Sequence, residues 1–139
     1  MFRAKHILIG YFGESLAGLY LSGKGYRFLA RNVKVAGGEI DLIYLNKSSL
    51  VFVEVKTVSV PDENSLDNVK FEPEKHMTSR KIVNIRRAAA VLANSRYAKQ
   101  AARGWRLDLV ALVIPRNFPL EVSNNFLSKC LVRHYENIG

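Results

Sequence analysis

The residues of this chain best placed to do chemistry are Asp41, Glu54 and Lys56. Asp41 lies in the apolar run Glu39 to Leu45 (EIDLIYL). Glu54 and Lys56 lie in the run Leu50 to Val58 (LVFVEVKTV), and Asn46-Lys47-Ser48-Ser49 separates the two. Such runs around a short polar stretch read as a β-hairpin. A turn centred on Lys47-Ser48 sets Leu45 opposite Leu50, Asp41 opposite Glu54 and Glu39 opposite Lys56. Every even-length loop with that centre gives the same register, whereas an odd loop sends the two acids to opposite faces. Directly opposed side chains stand about 5 Å apart at Cβ, where like charges destabilise the pair, and burial raises a carboxyl pKa. A divalent cation removes that conflict. Mg²⁺ takes oxygen ligands at about 2.1 Å, commonly one or two carboxylates with water and phosphate. Asp41 and Glu54 are therefore candidate ligands for Mg²⁺ or Mn²⁺ with open positions for a substrate. Lys56 shares a strand face with Glu54, while Val51, Val53, Val55 and Thr57 point the other way. From there it could orient or help deprotonate a water on the ion, or stabilise charge on a phosphate. The alternative is an exposed sheet face on which the three form ordinary surface ion pairs. Glu-x-Lys alone arises by chance; the informative part is its place on an apolar strand, in register with an Asp, in a basic chain.

The elements that must position these residues follow from periodicity. Lys5 to Ser22 reads as a helix, with Ile9, Phe12, Leu16, Leu19 and Tyr20 at helical spacing and Gly23 and Gly25 ending it. A second stripe (Gly10, Gly13, Glu14, Ala17, Leu21) is small and carries one carboxylate, so something can approach closely there. Tyr26 to Val35 reads as a strand, Ala36-Gly37-Gly38 as a turn, and the hairpin strands follow. Residues 59–77 contain Pro61, Pro73 and five acids and read as a long mobile loop. Thr78 or Ser79 can cap a helix reaching about Asn94, with Ile82, Ile85, Ala89 and Leu92 inward. A basic loop leads to the strand Trp105 to Ile114, which Pro115 stops. In the tail, 115–139, Pro119 to Val122 reads as a short strand, and Phe126 to Tyr135 as either a helix or a further strand. The fold class expected is α/β: one domain over 1–139, with a mixed central sheet in the order helix, three-strand meander, helix, strand.

Composition points to the partner. The net charge is +9, from 21 basic and 12 acidic residues. Nine of the basic residues fall between Lys75 and Arg106, a stretch with no acid, so the remainder is balanced. Arg80, Lys81, Arg86, Arg87, Arg96, Lys99 and Arg103 are the candidate phosphate-backbone contacts; the alternative is a solvated helix face that keeps the protein soluble. Tyr97 and Trp105 flank the basic loop and could stack on unpaired bases, or pack in the core. Arg106 and Asp108 share a strand face, as a structural ion pair or as support for the site. Lys75 and His76 could meet a phosphate or lie in solvent. The three histidines lack ligand spacing. Cys130 is the one cysteine, which favours a reducing compartment and a buried apolar role. Arg3, Lys5 and the run Ile7 to Phe12 mimic a signal peptide, but Gly13 and Glu14 interrupt it. With no run of about 18 apolar residues, a cytoplasmic protein with no membrane partner is expected.

Several blocks occur together in order. They are Gly13-Glu14 with Ala17, Gly25-Tyr26, Arg31-Asn32, Gly38-Glu39-Ile40-Asp41-Leu42-Ile43, Val51-Phe52-Val53-Glu54-Val55-Lys56, Lys81 ahead of Ala88-Ala89, and Arg106-Leu107-Asp108-Leu109-Val110. Over roughly residues 8–114 the chain resembles the YraN-like family of bacterial proteins. The resemblance implies a restriction-endonuclease-like fold related to archaeal Holliday-junction resolvases. It implies a metal-dependent phosphodiesterase core with its acid, acid, Lys pattern on Asp41, Glu54 and Lys56, and Glu14 as a further metal ligand. Glu39 is a supporting residue that pairs with Lys56 or holds the turn. DNA, branched or single-stranded, is the expected substrate, and a homodimer the expected assembly. The chain departs from the family pattern at Val58, where many members carry Arg, and in its acidic 59–76 segment. The rival readings are a nuclease fold that binds nucleic acid without turnover, and a protein- or RNA-interaction scaffold.

Overall fold

A computed structural model describes residues 2–68 and 77–139, with side chains for residues 9–66 and 77–139. In chain order it contains α1 (Phe2–Gly23), β1 (Arg27–Val35), β2 (Gly38–Asn46), β3 (Ser49–Val60), a 3-10 helix (Glu63–Asn68), α2 (Ser79–Ala93), β4 (Trp105–Pro115), α3 (Asn124–Leu127) and β5 (Leu131–Tyr135). The strands form one sheet in sequence order, antiparallel except where β4 runs parallel to β3. The α/β class and the mixed sheet are those expected from the sequence.

α1 covers one face of the sheet and α2 the other. Leu16, Ala17 and Leu21 pack on Leu42, Val51 and Val53, while Ala88, Ala89 and Leu92 pack on Ile43, Leu50 and Phe52. Burial on both faces explains why β3 and β4 are nearly continuous apolar runs rather than alternating ones. Thr78 caps α2 by accepting the Lys81 amide. Gly25, at φ +89°, supplies the left-handed residue after α1.

α1 meets the sheet with residues of both stripes: Leu16 of the first and Gly13, Ala17 and Leu21 of the small one are buried, and Phe12, Leu19 and Tyr20 only partly so. What approaches the small stripe is β3 itself, since a Cβ on Gly13 would overlap the Thr57 side chain. The expected 59–77 loop is shorter, because Ser59 and Val60 continue β3 and Glu63–Asn68 is a 3-10 helix. Residues 69–76, with Lys75 and His76, lie outside the described residues. In the tail, 119–122 is irregular, and the Phe126–Tyr135 segment is both things in turn: α3, then the edge strand β5. Among the described residues no helix is long and apolar enough to cross a membrane.

The Gly13–Thr57 contact sets how closely α1 lies on β3. Gly13→Ala is expected to destabilise the protein by about 1–3 kcal/mol through overpacking, and Thr57→Ala in the same chain to recover part of the loss. Urea unfolding of the single and double variants measures both; an additive double variant would show that the contact is not shared.

Candidate active site

The β2–β3 ladder runs from Asn46–Ser49 to Leu42–Val53 and stops there. Beyond it, Gly38 to Ile40 pair only with β1, and Glu54 to Val60 pair only with β4. The sheet forks at this point, and Asp41 and Glu54 stand at the crotch. The register expected for the hairpin holds through Leu42–Val53. It does not extend to a ladder pair at Asp41–Glu54, because Asp41 Oδ2 accepts the Val55 amide at 2.8 Å and takes the donor that a continuing strand would have used.

The two carboxyls stand close enough for each to act on the other's ionisation. Burial pushes Glu54 up to about 8, helped by the Asp41 charge and opposed by Lys56. Burial likewise pushes Asp41 up to about 6, against the Val55 hydrogen bond and with the Glu14 charge adding to the rise. The pair as a whole therefore holds a proton more tightly than two separate carboxyls would. Lys56 Nζ stands 3.7 Å from Glu54 Oε1, and the Glu54 side chain is only 14% exposed, so these are not loose surface ion pairs.

Glu14 comes from α1, one residue after the Gly13 contact, and raises the pKa of both acids. Its Oε1 accepts from Asn32 Nδ2 at 3.0 Å and from Arg31 Nη2 at 3.3 Å. Asn32 adopts a left-handed backbone, φ +52°, at the point where the β1–β2 ladder skips a pair. Such a conformation is tolerated best by Asn among side-chain-bearing residues. Periodicity gave no sign of this clamp, and Arg31-Asn32 stood out only through the family resemblance. Glu39 lies exposed opposite Lys34 rather than opposite Lys56, and its charge also raises Asp41.

Arg106 and Asp108 join a second network. Asp108 is fully buried and receives Arg106 Nε at 2.9 Å, the Asn137 amide at 2.9 Å and His134 Nε2 at 2.8 Å. Burial alone would raise its pKa, but the hydrogen bonds from His134, Arg106 and Asn137 hold it below the usual carboxylate range. Asp108, His134 and Glu136 place three ligand-type atoms within 4.8 Å of one another, a cluster of a kind that could hold a metal ion. Arg106 already occupies it, with Nη2 at 3.7 Å from Glu136 and 2.8 Å from the Tyr26 hydroxyl. His134 and Glu136 escaped the sequence reading because nothing marked which strand β5 would pair with.

The basic candidates Arg80, Lys81, Arg86 and Arg87 on α2, and Arg96, Lys99 and Arg103 after it, are all exposed. Arg86 lies over the Trp105 ring and donates to the backbone oxygen of Gly139 at 2.7 Å. Trp105 packs edge-on against Phe52, and Tyr97 joins the same α2-side core, so neither is a free stacking platform. Cys130 is half-buried, with its thiol pushed up to about 11 by burial.

Raised carboxyls have a signed consequence. The pair's contribution to metal-free stability is greatest below Glu54's ordinary value of 4.5 and is lost as pH rises toward about 8. Glu54→Gln, neutral throughout, should gain on the native chain at the alkaline end by an amount on the order of 2 kcal/mol. Unfolding in chelator across that range measures it, and a pH-independent difference would remove the assignment. Asp108→Ala leaves Arg106 and His134 without their acceptor and should cost about 3–5 kcal/mol, read by thermal unfolding; a loss below about 1 kcal/mol would mean the network is superficial.

A family model described as Uncharacterised protein family UPF0102 matches residues 13–112. A UPF0102 protein of Caldanaerobacter subterraneus subsp. tengcongensis is 38% identical over 122 residues, covering 86% of this chain and 92% of the relative. One from Mesorhizobium japonicum is 39% identical over 127 residues, covering 91% and 93%. One from Chelativorans sp. is 37% identical over 120 residues, covering 86% and 88%. The matched segment contains the whole fork, from Glu14 to Lys56, and on that breadth of similarity the chain belongs to the UPF0102 (YraN) family.

Proposed function

We propose that the protein is a metal-dependent nuclease that hydrolyses DNA phosphodiester bonds at the sheet fork. The observation that carries this reading is the pair of buried carboxyls forced together at Asp41 and Glu54, with Lys56 alongside. Two buried acids that act on each other and resist ionising together form a poor structural element. They are a suitable oxygen donor set for Mg²⁺ or Mn²⁺, whose charge can take the place of a proton. The ion would be held by Asp41 and Glu54, with Glu14 close enough in charge to contribute, and would supply Lewis-acid stabilisation to a phosphate oxygen. Lys56 adds a fixed positive charge beside the same position, where it can hold a phosphate oxygen or an attacking water in line. The exposed cations of α2 and of the segment after it would carry the sugar-phosphate backbone. The mixed sheet flanked by helices is consistent with a nuclease-like fold, although fold alone does not establish turnover.

A second reading, a module that binds nucleic acid without cleaving it, draws on the same exposed cations, which do not depend on the acid pair. Incubating single-stranded, duplex and branched DNA with and without Mg²⁺ separates the two. The nuclease reading expects Mg²⁺-dependent cleavage that falls about 100-fold or more in Lys56→Ala and disappears in Asp41→Asn. Wild type and Lys56→Ala behaving alike on every substrate would remove the catalytic assignment. Salt-sensitive binding that survives Asp41→Asn without cleavage would establish the second reading.

A further inference from the structure

Asn32 of β1 stands at the fork in a conformation that the strand itself does not require. Arg31–Leu42 and Val33–Ile40 pair on either side of it, so Asn32 falls opposite Asp41, and the β1–β2 ladder omits that one pair. Its backbone is left-handed, φ +52°, which costs free energy for a residue with a Cβ. In that pose the side-chain amide is fixed from both ends. Arg31 Nε donates to Asn32 Oδ1 at 3.3 Å, so the other end, Nδ2, is the one that donates to Glu14 Oε1 at 3.0 Å. Arg31 Nη2 reaches the same Glu14 oxygen at 3.3 Å. The guanidinium is itself held over the Tyr11 ring, 4.0 Å from its centroid, and against Ser15 Oγ at 3.1 Å. Both donors converge on Oε1, and among the described residues Oε2 receives no hydrogen bond.

We infer that Asn32 is a positioning residue for the metal: it holds Glu14 by Oε1 so that Oε2 is left for a divalent cation shared with Asp41 and Glu54. The inference rests on the nuclease reading above and deepens it, by making Glu14 a ligand whose orientation is set before the ion arrives. A brace between α1 and β1 would be served by Arg31 alone, which already reaches Glu14, Ser15 Oγ and the Tyr11 carbonyl oxygen. The Asn32 bond adds a second donor to one oxygen of a side chain that is only 14% exposed, from the position of β1 opposite Asp41. Glu14 stands near enough to act on the ionisation of Asp41 and of Glu54, so the three acids form one cluster. Hydrogen bonds of this kind orient a ligating carboxylate, and their loss lowers metal affinity by roughly 10- to 100-fold.

The test is calorimetric titration of the full chain with Mn²⁺ alone, in the absence of nucleic acid. Thermal unfolding in chelator checks that each variant is folded at the titration temperature. Asn32→Gly keeps the left-handed backbone without strain and removes the amide. It should weaken Mn²⁺ binding roughly 10- to 100-fold. Asn32→Asp keeps the shape but sets an oxygen, not a donor, against Glu14 Oε1. It should weaken binding as well, although its added negative charge, acting through charge alone, would tighten it. In a Glu14→Ala background Asn32→Gly should cost no further affinity, because Asn32 acts through Glu14. Wild-type affinity in Asn32→Gly, tighter binding in Asn32→Asp, or an equal loss with and without Glu14 overturns the positioning role and leaves the nuclease reading intact. Wild type that binds no Mn²⁺ overturns both.

Discussion

The side chain of Asp41 ends the β2–β3 ladder by taking the Val55 amide for itself, and the rest of the site depends on that bond. A backbone donor in a buried sheet must be satisfied. Were Val55 paired to β2 in the ordinary way, the sheet would close and Asp41 would be one more residue on its surface. Because a side-chain carboxyl takes that amide, the β2–β3 pairing ends at Leu42–Val53, beside Asp41 and Glu54. α1 lies against β3 because Gly13 admits the Thr57 side chain, which brings Glu14 near enough for its charge to raise both acids. Asn32 then holds Glu14 from the β1 side, at the place where the β1–β2 ladder also skips a pair. Two ladder interruptions and one close helix contact therefore converge on a single cluster of acids.

The two buried networks show what distinguishes a strained carboxyl from a settled one. Asp108 is less exposed than Asp41 or Glu54, yet its pKa falls while theirs rise. Desolvation is the largest influence on all three. What differs is the neighbourhood: Asp108 receives a guanidinium, an imidazole and a backbone amide, whereas Asp41 and Glu54 receive one amide, one ammonium and each other. Donors that outweigh desolvation stabilise the charged form, and a second acid does the opposite. The cluster around Asp108 is already neutralised by Arg106 and has little to gain from a cation. The pair at the fork has an unmet need for positive charge.

Much of this was legible in the sequence. The polar turn at Lys47-Ser48 fixed the register of β2 against β3, and period two placed Glu54 and Lys56 together. The limit of that reasoning was also physical. Register arithmetic assumes a ladder that continues, and cannot tell that a side chain will replace a strand at Val55. Helical periodicity likewise gave two stripes on α1 without saying how they share the sheet, and the buried residues come from both, Leu16 from one and Gly13, Ala17 and Leu21 from the other. β5 was ambiguous because five residues of mixed polarity, LVRHY, fit a short strand or a helical turn equally well, so His134 and Glu136 could not be placed beside Asp108 in advance.

β3 loses β2 as a neighbour after Val53, so the half that carries Glu54 and Lys56 is held in the sheet by β4 alone, opposite Leu109 and Ala111. The position of the acid and the amine is then no better defined than β4 itself. β4 is buried along nearly its whole length and is backed by β5. Asp108, which faces Val53 at the last paired position before the fork, ties it to Arg106, to His134 on β5 and to the chain end at Asn137. The second network therefore bears on the first through geometry rather than chemistry. It fixes the strand against which the free half of β3 is laid, and hence the distance at which Glu54 meets Asp41. A strand that loses one partner beside its acids needs a firm neighbour on the other side, and the ion-pair network around Asp108 lies where that firmness is required.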